Sequence, residues 1–155
     1  DYNNPDGTPM PDFEAYFDIF DKFLERNAQQ EVHFELGRAL VAQCGSLISR
    51  VLYTKSGVKK NFLIIDAGMT ELMRPALYQA YHKIEPVKAS TAPELNYDVV
   101  GPICESSDCF GKEVVLPTSE RGDLIAIRTA GAYGEVMASA YNLRDEIRYV
   151  YSDNL

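Results

Sequence analysis

The chain has few of the residues that staple a fold or bind a metal. Its 155 residues include three cysteines, Cys44, Cys104 and Cys109, and two histidines, His33 and His82. An odd cysteine count argues against a disulfide framework and for a reducing compartment, so a cytoplasmic protein is expected. Neither histidine is spaced with cysteines as in a zinc site, and no metal is expected. Positive charge is also scarce. Lys and Arg total 15 against 23 Asp and Glu, a net charge of −8 at pH 7. That balance argues against nucleic acid as a partner. No apolar run is long enough to span a membrane, and no secretory h-region opens the chain. Internal repeats and low-complexity tracts are missing too. The chain begins on "DYNNPDGTPMPD" with no initiator methionine, so it reads as a piece of something longer.

What remains is ordinary core material. Apolar residues make up 46% of the chain, enough for one or two small domains with a real core. Residues 1–10 read as loop, broken by Pro5, Gly7 and Pro9. Pro11 suits a first helical turn. Phe13, Tyr16, Phe17, Phe20, Phe23 and Leu24 then follow at helical spacing, which predicts an amphipathic helix to about Arg26. "VHFEL" (32–36) predicts a short strand, and "GRALVAQCG" a short helix ended by Gly45. Helix, strand and helix in that order are the rhythm of an α/β unit.

The texture changes after residue 45. "SLISRVLYTKSG" and "KNFLIIDAG" are β-rich runs bounded by glycines. "ELMRPALYQAYHKI" predicts a helical interlude that tolerates Pro75 only near its start. "YDVVGPIC", "KEVVLP", "GDLIAIRTAGAY", "EVMASAYN" and "IRYVYS" predict short strands, as in a sandwich or barrel. The expected fold is therefore an α/β segment followed by a mostly β domain.

Four stretches could carry chemistry. In "FELGR", Gly37 allows close backbone approach, and amides at a helix start with Arg38 could hold a phosphate. Glu35, at the end of the predicted strand, could face a ligand. The same residues also suit an ordinary strand-to-helix turn. In "RPALY", Arg74 and Tyr78 lie four apart on one helical face and could grip a carboxylate. A solvated arginine beside a packing tyrosine is the plainer alternative. In "GAYGEVMASAYN", Gly131, Ala132 and Gly134 clear space for Tyr133 to reach a ligand, or Tyr133 is a core aromatic. In "GPICESSDCFGK", Cys104 stands beside Glu105. A thiol that keeps its proton can protonate a carbanion, and a neighbouring anion disfavours the thiolate. An inert buried cysteine is again the plainer reading.

In this order, "ELGRALVAQCGSLISRVLYTK", "NFLIIDAGMTELMRPALYQAYH", "VVGPICESSDCF" and "GAYGEVMASAYN" resemble the C-terminal part of the diaminopimelate decarboxylases. Those are pyridoxal-phosphate enzymes of the alanine-racemase-like fold. The resemblance runs from about Glu31 and needs no large gap. It implies an α+β chain. Residues 1–45 would be the C-terminal remnant of a pyridoxal-phosphate-binding (β/α)8 barrel. Residues 46–155 would be a mostly antiparallel β-sandwich or β-barrel domain, with a helical insertion near 71–84. The implied reaction, the last step of lysine biosynthesis, converts meso-diaminopimelate to L-lysine and carbon dioxide, with pyridoxal 5'-phosphate as the electron sink.

The roles follow from the resemblance alone. Glu35 would pair with the pyridine nitrogen of the cofactor. Gly37 and Arg38 would join the phosphate cradle, with Arg38 also bordering the substrate. Arg74 and Tyr78 would clamp the distal carboxylate. Cys104 would donate the proton, Glu105 would meet the distal ammonium, and Tyr133 would touch both cofactor and substrate. Cys104 and Glu105 would serve the neighbouring subunit, which implies a two-fold homodimer with shared sites.

Two features depart from the family pattern. Leu36 stands where the family usually has proline. The Schiff-base lysine, its companion histidine and the glycine-rich phosphate loop have no counterpart, so this polypeptide alone is expected to be inactive. The missing lysine leaves room for a non-catalytic β-domain assembly protein, and a related decarboxylase acting on ornithine, arginine or carboxynorspermidine is the other alternative.

Overall fold

The computed structural model describes residues 12–154 together with Asn3, Asp6 and Gly7. The predicted role of Pro11 lies outside them. Helix α1 spans Phe13–Arg26. The Asp12 carboxylate caps it by accepting the Ala15 N–H at 3.0 Å, and Glu14 and Arg26 complement the two ends of its dipole. Its aromatic stripe closes on one ring. Phe17 and Phe20 meet Phe34 edge to face, with centroids 4.9 and 4.7 Å away. No residue of α1 is buried, and Ile19 stays 65% exposed. The predicted amphipathic helix is present, and its apolar face stays largely uncovered.

The rest of the chain is organised by one six-stranded sheet. Its strands are β1 (Leu47–Ser56), β2 (Asn61–Ile65), β3 (Ile84–Pro86), β4 (Glu94–Val100), β5 (Cys109–Pro117) and β6 (Leu124–Ile127). They run in the order β3-β6-β1-β2-β4-β5. Only β2 and β4 pair in parallel, and the other four pairings are antiparallel. The edge strands β3 and β5 lie against each other, so the sheet nearly closes into a barrel and leaves little free edge. Inward positions of the strands carry Val51, Leu63, Ile65, Val99, Phe110, Leu116, Ile125 and Ile127, all buried. Each such side chain contributes about 1.5–3 kcal/mol of burial energy.

Five sequence expectations fail here. Residues 31–36 form no strand, and "GRALVAQC" forms two separate 3-10 turns, Gly37–Ala39 and Ala42–Cys44. A strand needs a ladder to join, and both edges of this sheet are engaged with each other. For the same reason "EVMASAYN" and "IRYVYS" form 3-10 turns and extended chain instead of strands. The helical interlude shrinks to α2, Arg74–Tyr78. Pro75 sits in its first turn as expected, and Gln79 ends it in the left-handed conformation with φ 53°. Beyond Gln79, Ile84 is drawn into the ladder opposite Ile127, and that pairing outweighs helix propensity. No helix among the described residues is long and apolar enough to cross a membrane.

Candidate functional site

Arg74 is the unusual residue of this structure. It opens α2, and only 7% of it is exposed. Its guanidinium lies over two rings, 5.5 Å from the centroid of Tyr78 and 5.8 Å from that of Tyr133. These are cation–π contacts. No carboxylate among the described residues pairs with it. A buried cation without an anion is costly, so the site favours a ligand that brings one. The solvated-arginine alternative is therefore overturned.

Tyr133 reaches the same place by a strained route. Its backbone has φ 64°, an uncommon conformation for a bulky residue and a mark of functional sites. The flanking small residues are sterically required. A Cβ on Gly131 would stand 2.3 Å from the Val41 carbonyl oxygen, and one on Gly134 would stand 2.4 Å from that of Ala130. The bend thus packs on the 41–45 turn and pushes Tyr133 outward, where it is 47% exposed. Tyr133 is not a core aromatic.

Arg38, Arg74, Tyr78, Ala80, Tyr133 and Met137 line one open cavity of about 460 Å³. Four of the eight residues singled out in the sequence meet there. Two guanidiniums and two phenols suit an anionic group such as a carboxylate or a phosphate. No lysine lines the cavity. Lys59 and Lys60 are both exposed, and Lys60 donates to the buried Asp98 at 2.7 Å.

The other four residues lie outside that cavity. Glu35 and Gly37 are exposed. Gly37 uses its freedom for a left-handed backbone, φ +60°, and a Cβ there would meet nothing within 4 Å. The space it leaves is open to a ligand. No regular helix starts at Arg38, so one 3-10 turn stands where a helix N-terminus was expected. Cys104 and Glu105 are exposed at the tip of the 101–108 turn, which rules out the buried-cysteine alternative. Glu105 accepts a hydrogen bond from the Tyr141 hydroxyl at 2.7 Å, and that contact pushes the Tyr141 phenol above its ordinary pKa.

Sequence reasoning missed three participants. Met137 falls in "GAYGEVM", where its spacing of four from Tyr133 is the available signal. Tyr141 has only its place in the same motif. Asp108 follows Cys104 by four residues, and its surroundings become visible only in three dimensions.

Comparison with known proteins gives these features a family. The pattern of the pyridoxal-dependent decarboxylase C-terminal sheet domain matches residues 14–131. A diaminopimelate decarboxylase of Bacteroides thetaiotaomicron is 59% identical over 155 residues, 100% of this chain and 40% of that protein. One from Neisseria meningitidis serogroup B is 45% identical over 144 residues, 93% of this chain and 34% of that protein. Among solved structures, the diaminopimelate decarboxylase from Helicobacter pylori complexed with L-lysine is 52% identical. It superposes with a TM-score of 0.65 over 70% of this chain and 26% of its own. The chain thus spans less than half the length of these relatives.

Proposed function

The chain belongs to the pyridoxal-dependent decarboxylases, as their C-terminal sheet domain, and from that premise we propose that it supplies the substrate-recognising part of a diaminopimelate decarboxylase. The reaction would take meso-diaminopimelate to L-lysine and carbon dioxide. One observation carries this reading: Arg74, a buried residue, lays its guanidinium over two aromatic rings and pairs with no carboxylate among the described residues. A distal substrate carboxylate satisfies it, and Tyr78 adds a hydroxyl. A plain diamine acid such as ornithine offers no such group, which favours diaminopimelate over the simpler substrates.

Pyridoxal phosphate, when bound, supplies the electron sink for the bond that loses carbon dioxide. The residues here fit one flank of such a group. Arg38 and the open backbone at Gly37 suit an anion, Tyr133 offers a ring, and Glu35 offers an acid for a ring nitrogen. The lysine that would attach the cofactor is not among the cavity residues, so it would come from a barrel to which residues 1–45 belong. Cys104 would hold a proton on its Sγ for the carbon that has lost its carboxylate. Glu105 would hold the distal ammonium. Since neither residue lines the Arg74 cavity, a two-fold dimer is the arrangement that brings them to it from the partner copy. The companion proposals follow: residues 46–155 are the sheet domain proper, and the enzyme works in the cytoplasm.

The test is completion. The chain is fused behind the N-terminal part of its Bacteroides thetaiotaomicron relative, and carbon dioxide release is measured with meso-diaminopimelate and with ornithine. Release from diaminopimelate alone is expected, and the isolated 155-residue polypeptide releases none. A cofactor-loaded fusion that prefers ornithine would overturn the assignment.

A further inference from the structure

Beneath the exposed Cys104–Glu105 tip lies a carboxylate that the proposed chemistry does not use. Asp108 is 3% exposed. Its Oδ1 accepts the Met69 N–H at 2.6 Å and its Oδ2 accepts the Ile103 N–H at 2.7 Å. No cation pairs with it among the described residues. Burial is the largest influence on it and pushes its pKa up. A charge in such a place is expensive, and its two backbone bonds, with a smaller contribution from the Arg144 charge, compensate in part.

The surroundings are shaped to it. A Cβ on Gly101 would stand 2.4 and 2.6 Å from the two carboxylate oxygens, so backbone packs directly against them. The turn closes around the same group. Gly101 N–H donates to the Asp108 carbonyl at 3.1 Å, Glu105 N–H to that of Ile103 at 2.8 Å, and Asp108 N–H to that of Glu105 at 3.1 Å. Cys104 and Glu105 directly follow the residue whose N–H the carboxylate holds. The other bond reaches the 66–71 loop, which two further carboxylates help to hold. Asp66 accepts from the Ser49 hydroxyl at 2.6 Å, and Glu71 accepts from the Gly68 N–H at 2.6 Å. Arg74 begins three residues after Glu71.

We propose that Asp108 is the positioning residue for Cys104 and Glu105, fixing their turn through Ile103 and joining it through Met69 to the loop that carries the Arg74 helix. This rests on the function proposed above for those two residues. The role needs a carboxylate. Two facing N–H groups require an acceptor on each oxygen, and an asparagine offers one acceptor and one donor. The fold thus ties the tip intended for a partner copy to the clamp of its own cavity.

Three measurements test it. In the unaltered polypeptide, the amides of Met69 and Ile103 exchange at least about a hundredfold more slowly than that of Ser106; fast exchange at both overturns the proposal whether or not any variant folds. Asp108→Asn changes the alkylation rate of Cys104 by iodoacetamide relative to Cys44, read by peptide mapping under conditions where unfolding stays cooperative. An unchanged ratio contradicts the proposal. In the barrel-completed fusion, Asp108→Asn lowers kcat/KM for diaminopimelate about tenfold or more, but less than about twofold once Glu105→Gln is present. Equal losses in both backgrounds mean a merely structural carboxylate and overturn it. A wild-type fusion without turnover would count against the proposed function, while exchange and alkylation still decide the role of Asp108.

Discussion

The sheet body and the N-terminal arm of this chain solve the same problem unequally. Both present apolar side chains at regular spacing. The body buries Val51, Leu63, Ile65, Ile125 and Ile127 almost completely, while α1 buries nothing. The site divides along the same line. Arg74, Tyr78, Tyr133, Cys104 and Glu105 are mounted on the body or its turns. Glu35, Gly37 and Arg38 ride on the arm, in 3-10 turns and extended chain. Most of the residues proposed for substrate recognition therefore sit on a self-supporting frame, whereas Glu35, Gly37 and Arg38, proposed for the cofactor, ride on a segment short of packing partners.

The largest effect expected from this contrast is on stability. Leu63→Ala removes a fully buried side chain and should cost about 2–5 kcal/mol in denaturant unfolding. Phe20→Ala, which loses ring contacts with Phe34 and Tyr16 on an unburied helix, should cost clearly less, about 1 kcal/mol, in the same transition. Comparable losses would show that the arm folds with the body. Hydrogen exchange sharpens the point next. Amides of 13–26 should exchange at least about a hundredfold faster than those of Val51 and Leu63.

A smaller effect lies in the acid limb of stability. Lys83, at 2.9 Å, chiefly holds the Glu85 carboxyl below its ordinary 4.5, and Arg128 helps at 2.6 Å. A depressed carboxylate contributes stability that is fully present above pH 4.5 and is lost as pH falls through its folded value. Glu85→Gln should flatten the fall in melting temperature below that pH. Arg128 also pairs with Asp6 of the arm, so an Asp6→Asn variant that lowered the melting temperature of the body would break the division drawn here. The smallest signal is at His82. Burial, followed by the neighbouring Arg74 charge, holds its pKa below 6.5. Arg74→Gln should move the His82 titration upward by NMR.

The same division explains what could be read in advance. Strands β1, β2, β4, β5 and β6 were visible as β-rich runs between turns, because each finds a ladder within this chain. "VHFEL" and "EVMASAYN" carry similar patterns and find none, so local preference was not realised. A spacing of four put Arg74 and Tyr78 on one helical face, and small neighbours gave Tyr133 room, but the roles proposed for all three came from the resemblance. Asp108 was not, since its role depends on the Met69 amide 39 residues away. The membership of "FELGR" in a binding site was readable only by resemblance, because the turn there is a single 3-10 turn.

The central claim is that the buried Arg74 exists to meet a carboxylate of the substrate. The most direct measurement is kcat/KM for meso-diaminopimelate in the barrel-completed fusion, with Arg74 and with Arg74→Gln. Removing one partner of a buried charge pair costs about 2–5 kcal/mol, so a loss of about thirtyfold or more is predicted while the cofactor stays bound. An unchanged kcat/KM in a folded, cofactor-loaded variant would contradict the account.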